Sequence, residues 1–397
     1  MSTAIIITIC VLLLLAYVFD ISSPLTKIPS VILLLLLGWI VRQSTDFFHI
    51  NIPDLNPVLP ILGTIGLILI VLEGSLELEL NASKFSIIKI SSFIALVPML
   101  LLAALIAWAF QYDTHAPVKI ALVNAIPFCV ISSAIAIPSV RHLTAVNKET
   151  VIYESSLSDI FGVLMFNFFA LNTVIDQEAF GHFGLQLLLI ILISFIAVLG
   201  LSYLLSRITH HITYTPILLL VILIYAVSKV YHLPGLIFIL VFGLFLGNLE
   251  EMKRFKWMNK FQPEKLDKEV VKFKEITIEV TFLIRALFFM LFGFLMEVRE
   301  LLNLETLPWA ALIVIAILLI RLTFLYLSKL PLSPLLFIAP RGLITILLFF
   351  SIAPDQSIPI VNKALVIQTI ILSVLVMMLG LMGQQNPGTP YRESENL

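Results

Sequence analysis

Charge is the scarcest commodity in this sequence. Only 12% of its 397 residues are Asp, Glu, Lys or Arg, and 60% are hydrophobic, for a mean hydropathy of +1.08. A soluble domain carries about twice that share of charge, so the composition points to a bilayer. Cysteine is nearly absent. Cys10 and Cys129, both inside apolar runs, are too few for a disulfide framework or a zinc site and read as small core residues. There is no basic tract to suggest nucleic acid, and a net charge of -1 favours no charged partner. No basic residue precedes the first apolar run, "MSTAIIITICVLLLLAYVF", and no small-residue cleavage pattern follows it; it is expected to be a spanning helix and not a signal peptide. Enzyme chemistry lacks its constellation too. His49, His115, His142, His182, His210, His211 and His232 fall mostly in loops or at span ends, with no metal-ligand cluster and no nucleophile–base pair. No cofactor is expected.

What is present is a series of apolar runs. About 20 such residues cross a bilayer core, and thirteen spans are predicted: 4–19, 29–42, 58–76, 85–111, 118–140, 149–174, 184–206, 214–229, 233–248, 276–297, 309–329, 333–353 and 361–382. The fold class is therefore an all-α polytopic membrane protein. One long polar insert, 249–275, is dense in lysine, which places it in the cytoplasm. Lys84, Arg141, Lys148, Arg207 and Lys329 fall on the same side, whereas Asp113, Asp176, Glu178 and Asp355 fall opposite. The N-terminus is thus expected outside and the C-terminus inside, with a short disordered tail over 384–397.

Against that background a few charges stand out. Asp159 lies about 15 Å along the sixth span at 1.5 Å per residue, close to the middle of the membrane. A carboxylate at that depth is unfavourable by about 2.5–3.5 kcal/mol and usually marks an ion pathway. Arg285 is expected at a similar depth, and Glu73, Glu154 and Arg341 nearer the cytoplasm. Ser155 and Asp159 are four residues apart and share a helix face. Glu154 lies about 140° round the helix from Asp159, which suits a structural ion pair with a base on another span. An ion pair between Asp159 and Arg285 is an alternative that the residues leave open.

Two spans look interrupted. "ALVNAIPFCVISSAIAIPSV" carries Pro127 and Pro138 around Ser132 and Ser133, and "LPLSPLLFIAPRGLITILLFF" carries Pro331, Pro334 and Pro340 before Arg341. Proline removes a backbone donor and clashes with the preceding turn, so both are predicted to unwind. Paired interruptions in two halves are a signature of an inverted-repeat transporter with its site at their crossing.

The segment "ESSLSD", 154–159, resembles the "ES-x-x-ND" motif of cation:proton antiporters of the sodium/proton exchanger type. "LIVLEGSLEL", "ISSAIAIP" and "PRGLITILLFF" resemble further segments of that family in order and spacing, so the likeness covers the whole membrane region. It implies a sodium/proton antiporter fold with two broken crossing helices: scaffold and dimerisation helices in 1–80, core helices in 81–175, a linker helix and further scaffold in 176–300, and core helices again in 301–383. It implies Asp159 as the carboxylate that takes either cation or proton, Ser155 as a hydroxyl ligand to an alkali cation, Glu73 as a funnel acid, Glu154 with Arg341 as a structural pair, and Arg285 as a midplane base. Ser158 stands where the family has asparagine and is counted with Asp159, Ser155, Ser132 and Ser133 among the ion- and proton-binding residues; Ile131–Ser132 stands where the family has threonine–aspartate. Oxygens of Asp159, Ser155, Ser132 and Ser133 suit a hard cation.

The function so implied is exchange of a monovalent cation, sodium before lithium or potassium, for a proton. Burial and nearby positive charge pull a carboxylate's pKa in opposite directions; a balance near cytoplasmic pH makes the two ions compete, one for one, hence electroneutrally, by alternating access. A homodimer in the cell (inner) membrane is expected. A sodium-coupled organic-anion symporter of similar fold and a non-transporting homologue stay open as alternatives.

Overall fold

The computed structural model describes all residues except 1, 27, 51, 79, 81–83, 141–142, 173–174, 208–213, 232, 253–262 and 384–397. Arg141, His142, His210, His211, His232, the middle of the polar insert and the tail lie outside the described residues. Those described form helices and connecting segments, with no strand among them. In chain order they are α1 (Ser2–Thr26), α2 (Ser30–Phe47), α3 (Val58–Glu77), α4 (Phe85–Thr114), α5 (Val118–Ala125), α6 (Ser133–Ser139), α7 (Ala145–Leu171), α8 (Gln177–Arg207), α9 (Tyr214–Val230), α10 (Leu236–Gly247), α11 (Leu249–Met252), α12 (Pro263–Phe294), α13 (Val298–Leu301), α14 (Leu307–Leu327), α15 (Leu343–Phe350) and α16 (Lys363–Met382).

Nine of these, taking α5 and α6 as one, are long and apolar enough to cross a membrane, and α1, α9 and α10 add shorter apolar stretches. With the interrupted α15 segment, every predicted span has a counterpart. Lipid is as apolar as leucine, so helices here associate by close packing and not by escape from water. Accordingly α3 lies tightly on α10 and α12, and α2 on α12. A second set of contacts joins α4, α5, α6 and α7 to one another, α14 to α4 and α16, and α15 to α16. Helix α3 touches both sets, reaching α6, α7 and α15 as well.

Two expectations are corrected. The tenth span does not begin at 276: residues 263–275 of the polar insert are the first turns of α12. Pro263 opens that helix, where its missing N–H costs nothing, and Leu266, Val270 and Phe273, spaced i, i+4, i+7, are buried. Hydropathy counts apolar residues and overlooks such an amphipathic stripe. Cys129 is buried as expected, but Cys10 is exposed on α1 and is no core residue.

Both prolines-rich spans are interrupted. Between α5 and α6 the chain makes one 3-10 turn, Ile126–Phe128, and then runs without helix to Ser132. Between α14 and α15 only Leu335–Phe337 is helical, and residues 338–342 are not. Residues 129–132 and 338–342 are buried throughout, whereas 328–333 are not. Backbone without helix at membrane depth must find other partners for its N–H and C=O groups, and that requirement organises the site.

Candidate functional site

Helix α7 carries six polar residues in its buried middle: Thr150, Glu154, Ser155, Ser156, Ser158 and Asp159. Each serine meets a different fate. Ser155 Oγ donates to Val151 O at 2.7 Å, a bond to its own helix one turn back. Ser158 Oγ accepts from Ile131 N at 2.9 Å and so satisfies the first broken segment. Ser156 Oγ is buried without a partner among the described residues.

Asp159 is 1% exposed. Its Oδ2 accepts a hydrogen bond from Ser133 Oγ, at the first turn of α6, and its Oδ1 has no hydrogen-bond partner among the described residues. Among the described residues no base forms an ion pair with it. The Asp159–Arg285 alternative is thereby set aside: Arg285 faces α1 instead, 3.6 Å from Asp20 Oδ1. Next to Ser133 in the chain, Ser132 Oγ is a further buried oxygen without a partner among the described residues. The site thus offers a carboxylate oxygen and hydroxyl oxygens, which are hard ligands suited to an alkali cation or a proton and ill suited to soft metals. Among the described residues no cluster of three His, Cys, Asp or Glu could hold a metal ion.

The two broken segments cross at this point. Ser132 N donates to Pro340 O at 2.9 Å. Gly342 lets the two segments approach closely: a Cβ on it would lie 2.6 Å from Ile135 Cδ1 and 2.8 Å from Ser132 Oγ, so those side chains would have to shift. Arg341 then binds both segments at once. Its Nε donates to Phe128 O at 2.6 Å, its Nη1 to Ala339 O at 2.9 Å, and its backbone N to Ser373 Oγ on α16 at 3.0 Å.

That geometry corrects the expected Glu154–Arg341 pair. Glu154 is held in a two-point contact by Arg321 of α14, with Nη2 to Oε2 at 2.9 Å and Nη1 to Oε1. Arg321 Nε also donates to Leu335 O at 2.7 Å. The physical reason is that unwound carbonyls need donors that a helix no longer supplies, and one guanidinium offers five. Arg341 is spent on carbonyls, Arg321 on a carboxylate and a carbonyl. Glu73 lies half-buried on α3. Ser155 shares a face with Asp159 but is not hydrogen-bonded to it.

Three residues in this network were not singled out from the sequence as site residues: Arg321, Ser373 and Ser156. Arg321 had a signal, being the sole charge within the 21-residue α14. A base so placed needs an acid at its own depth.

A cavity of about 510 Å³ opens toward the C-terminal half of α7, between α3, α9, α10 and α15, and its wall includes Thr64, Ile160, Asn167, Tyr225, Lys229 and Ser351. It reaches the residue after Asp159 without exposing Asp159 itself. At the N-terminal end of α7 a separate polar cavity of about 300 Å³ is lined by Glu77, Lys84, Lys148, Glu149 and Lys274, with Lys84 Nζ 2.9 Å from Glu149 Oε1.

The sequence matches the family described as "Sodium/hydrogen exchanger, transmembrane" over residues 9–384. No curated protein matches it. Among solved structures, the sodium proton antiporter MjNhaP1 from Methanocaldococcus jannaschii at pH 8 aligns with a TM-score of 0.64 at 19% identity, covering 97% of this chain and 100% of that one. An electron-microscopy structure of the same antiporter aligns at 0.63 and 20%, covering 96% and 95%. At such identities the likeness is one of fold.

Proposed function

The chain belongs to the sodium/hydrogen exchanger family, and from that premise we propose that cation:proton exchange runs through Asp159, where proton and alkali cation displace one another. The single observation that carries this reading is the state of that carboxylate among the described residues: one oxygen bonded to Ser133, the other without a partner, and no base paired with it. A carboxyl group so placed is neutral with a proton or neutral with a cation, and in either form it crosses a low-dielectric barrier far more readily than a bare charge. Ser133, Ser132 and carbonyls of the unwound backbone complete the ligand set; Ser155, its proton committed to Val151, still has lone pairs to offer.

One exchangeable carboxylate supports one cation per proton, so turnover is electroneutral. Arg285 does not disturb this balance, because Asp20 faces it. The moving half comprises α4–α7 and α14–α16, sliding on α3 and the helices behind it. The cavity beside Ile160 supports access from the C-terminal end of α7, the outer end by the count of basic residues. Sodium is the expected ion; a homodimer in the cell membrane, N-terminus outside and C-terminus cytoplasmic, with Glu73 in the inner funnel, completes the proposal.

The test is proton movement in everted vesicles on adding sodium, lithium or potassium, with Asp159→Asn beside wild type. Cation-dependent proton release by wild type alone supports exchange at Asp159. Silence of wild type toward every cation over a wide pH range would mean that Ser132, in the place of an acid, leaves the site unable to exchange.

A further inference from the structure

Five buried side-chain N or O atoms have no hydrogen-bond partner among the described residues, and three of them, Ser132 Oγ, Ser156 Oγ and Asp159 Oδ1, belong to α7 and the α6 turn beside it. Buried polar atoms are normally satisfied, and those that are not ask for a reason, an unseen ion or water among them. Asp159 and Ser132 belong to the exchange site already described. Ser156 does not, and its state, shared by Ser202 on α8, differs from that of several other helical serines. Ser139, Ser155 and Ser228 each donate to a carbonyl one turn back, the usual refuge of a helical serine in an apolar setting. Ser156 is 5% exposed and makes no such bond.

Its position is informative. Ser156 precedes Asp159 by three residues, so the two lie about 60° apart on one helix face, one turn from each other. It sits on the N-terminal side of Asp159, away from the cavity that reaches Ile160. The opposing surface is α3 at Gly74, where a Cβ would stand 2.9 Å from Ser156 Oγ. The missing side chain of Gly74 thus leaves this hydroxyl its room, at the seam between α7 and the helix over which α7 is proposed to slide.

We infer that Ser156 Oγ is a transient ligand for the alkali cation, the first oxygen met by an ion that leaves Asp159 toward the N-terminal end of α7. The assignment rests on exchange at Asp159 as proposed above. A neutral hydroxyl suits a way station, since it replaces one water of a hard cation without holding it as a second carboxylate would. Because Ser156 lies on one side of Asp159 only, it contributes when the site opens to that end and not when it opens to the other.

The experiment is half-saturation by sodium, lithium and potassium in vesicles of both orientations. Ser156→Ala is expected to raise the half-saturating concentration about three- to tenfold on the face toward the N-terminal end of α7, leaving the other face unchanged. Gly74→Ala is expected to act in the same direction, and to act less in the Ser156→Ala background, since the crowded oxygen is then gone. An equal change on both faces, or none on either, overturns the inference. Wild-type vesicles without any cation-driven proton movement would overturn the exchange reading instead. In that event Ser156 is judged on purified protein: weaker protection of Ser156→Ala against thermal unfolding by added alkali cation supports the ligand role, and equal protection overturns it.

Discussion

Arg321 and Glu154 grip one another fork to fork, joining α14 to α7 in the buried interior of the protein. The pair is only part of the contact, because the same guanidinium also holds Leu335 O of the second broken segment. Breaking a buried pair leaves the other charge uncompensated, at a cost of about 3–5 kcal/mol. Arg321→Ala and Glu154→Ala are therefore expected to lower the melting temperature of the purified protein strongly. The double variant should lose less than the sum of the two, which a double-mutant cycle on thermal unfolding would reveal.

Arg341 is expected to resist conservative replacement. Its two nitrogens reach two carbonyls on different segments, Phe128 and Ala339, in a fixed planar fork. A lysine keeps the charge but places a single ammonium where two directions are needed. Arg341→Lys should thus lose most exchange activity although charge is conserved, measured as initial proton flux at saturating cation.

Competition at one carboxylate sets the pH dependence. On the acid side of the titration of Asp159, each unit of falling pH multiplies the ratio of protonated to free carboxylate tenfold, so the apparent KM for cation should rise about tenfold per unit. Maximal flux should change little over the same interval. The check is flux against cation concentration at several pH values; a constant KM with falling maximal rate would place the titrating group elsewhere.

Ser133 should set affinity more than rate. A hydrogen bond to a charged group is worth about 1.5–3 kcal/mol, and this hydroxyl is the one that Asp159 engages. Ser133→Ala is expected to weaken cation half-saturation by about tenfold or more while leaving thermal stability near wild type.

Among the described residues, Lys229 is the only Lys, Arg, Asp or Glu on the wall of the cavity beside Ile160. A fixed positive charge there lowers the local concentration of cations, and salt screens it. Removing it with Lys229→Ala should lower the cation KM on the cavity side about two- to threefold at low ionic strength, with the difference fading as an impermeant salt is added.

Much of this was legible in the sequence for identifiable reasons. Asp159 is an acid in an apolar run, and depth alone marks it. The breaks near Ser132 and Arg341 announce themselves through Pro127, Pro138, Pro331, Pro334 and Pro340. The partner of Glu154 was not legible, because Arg321 and Arg341 both lie in spans of the same bundle and only their neighbours tell them apart. Arg341 binds carbonyls, which every residue owns, so no residue type signals the contact. The long start of α12 had a visible stripe, Leu266, Val270 and Phe273, masked by the charges between them.

The bond from Arg341 Nε to Phe128 O joins residues 213 positions apart in the chain. At ribosomal speeds of about 5–20 residues per second, the first break is made on the order of 10–40 s before its donor exists. For that interval Phe128 O and Ser132 N stand in or near the bilayer without the groups that later satisfy them. Biogenesis therefore has to shelter an unfinished half, by delayed insertion, by water or by the translocation machinery. Truncation anywhere before Pro340 leaves the first half permanently in that unfinished condition.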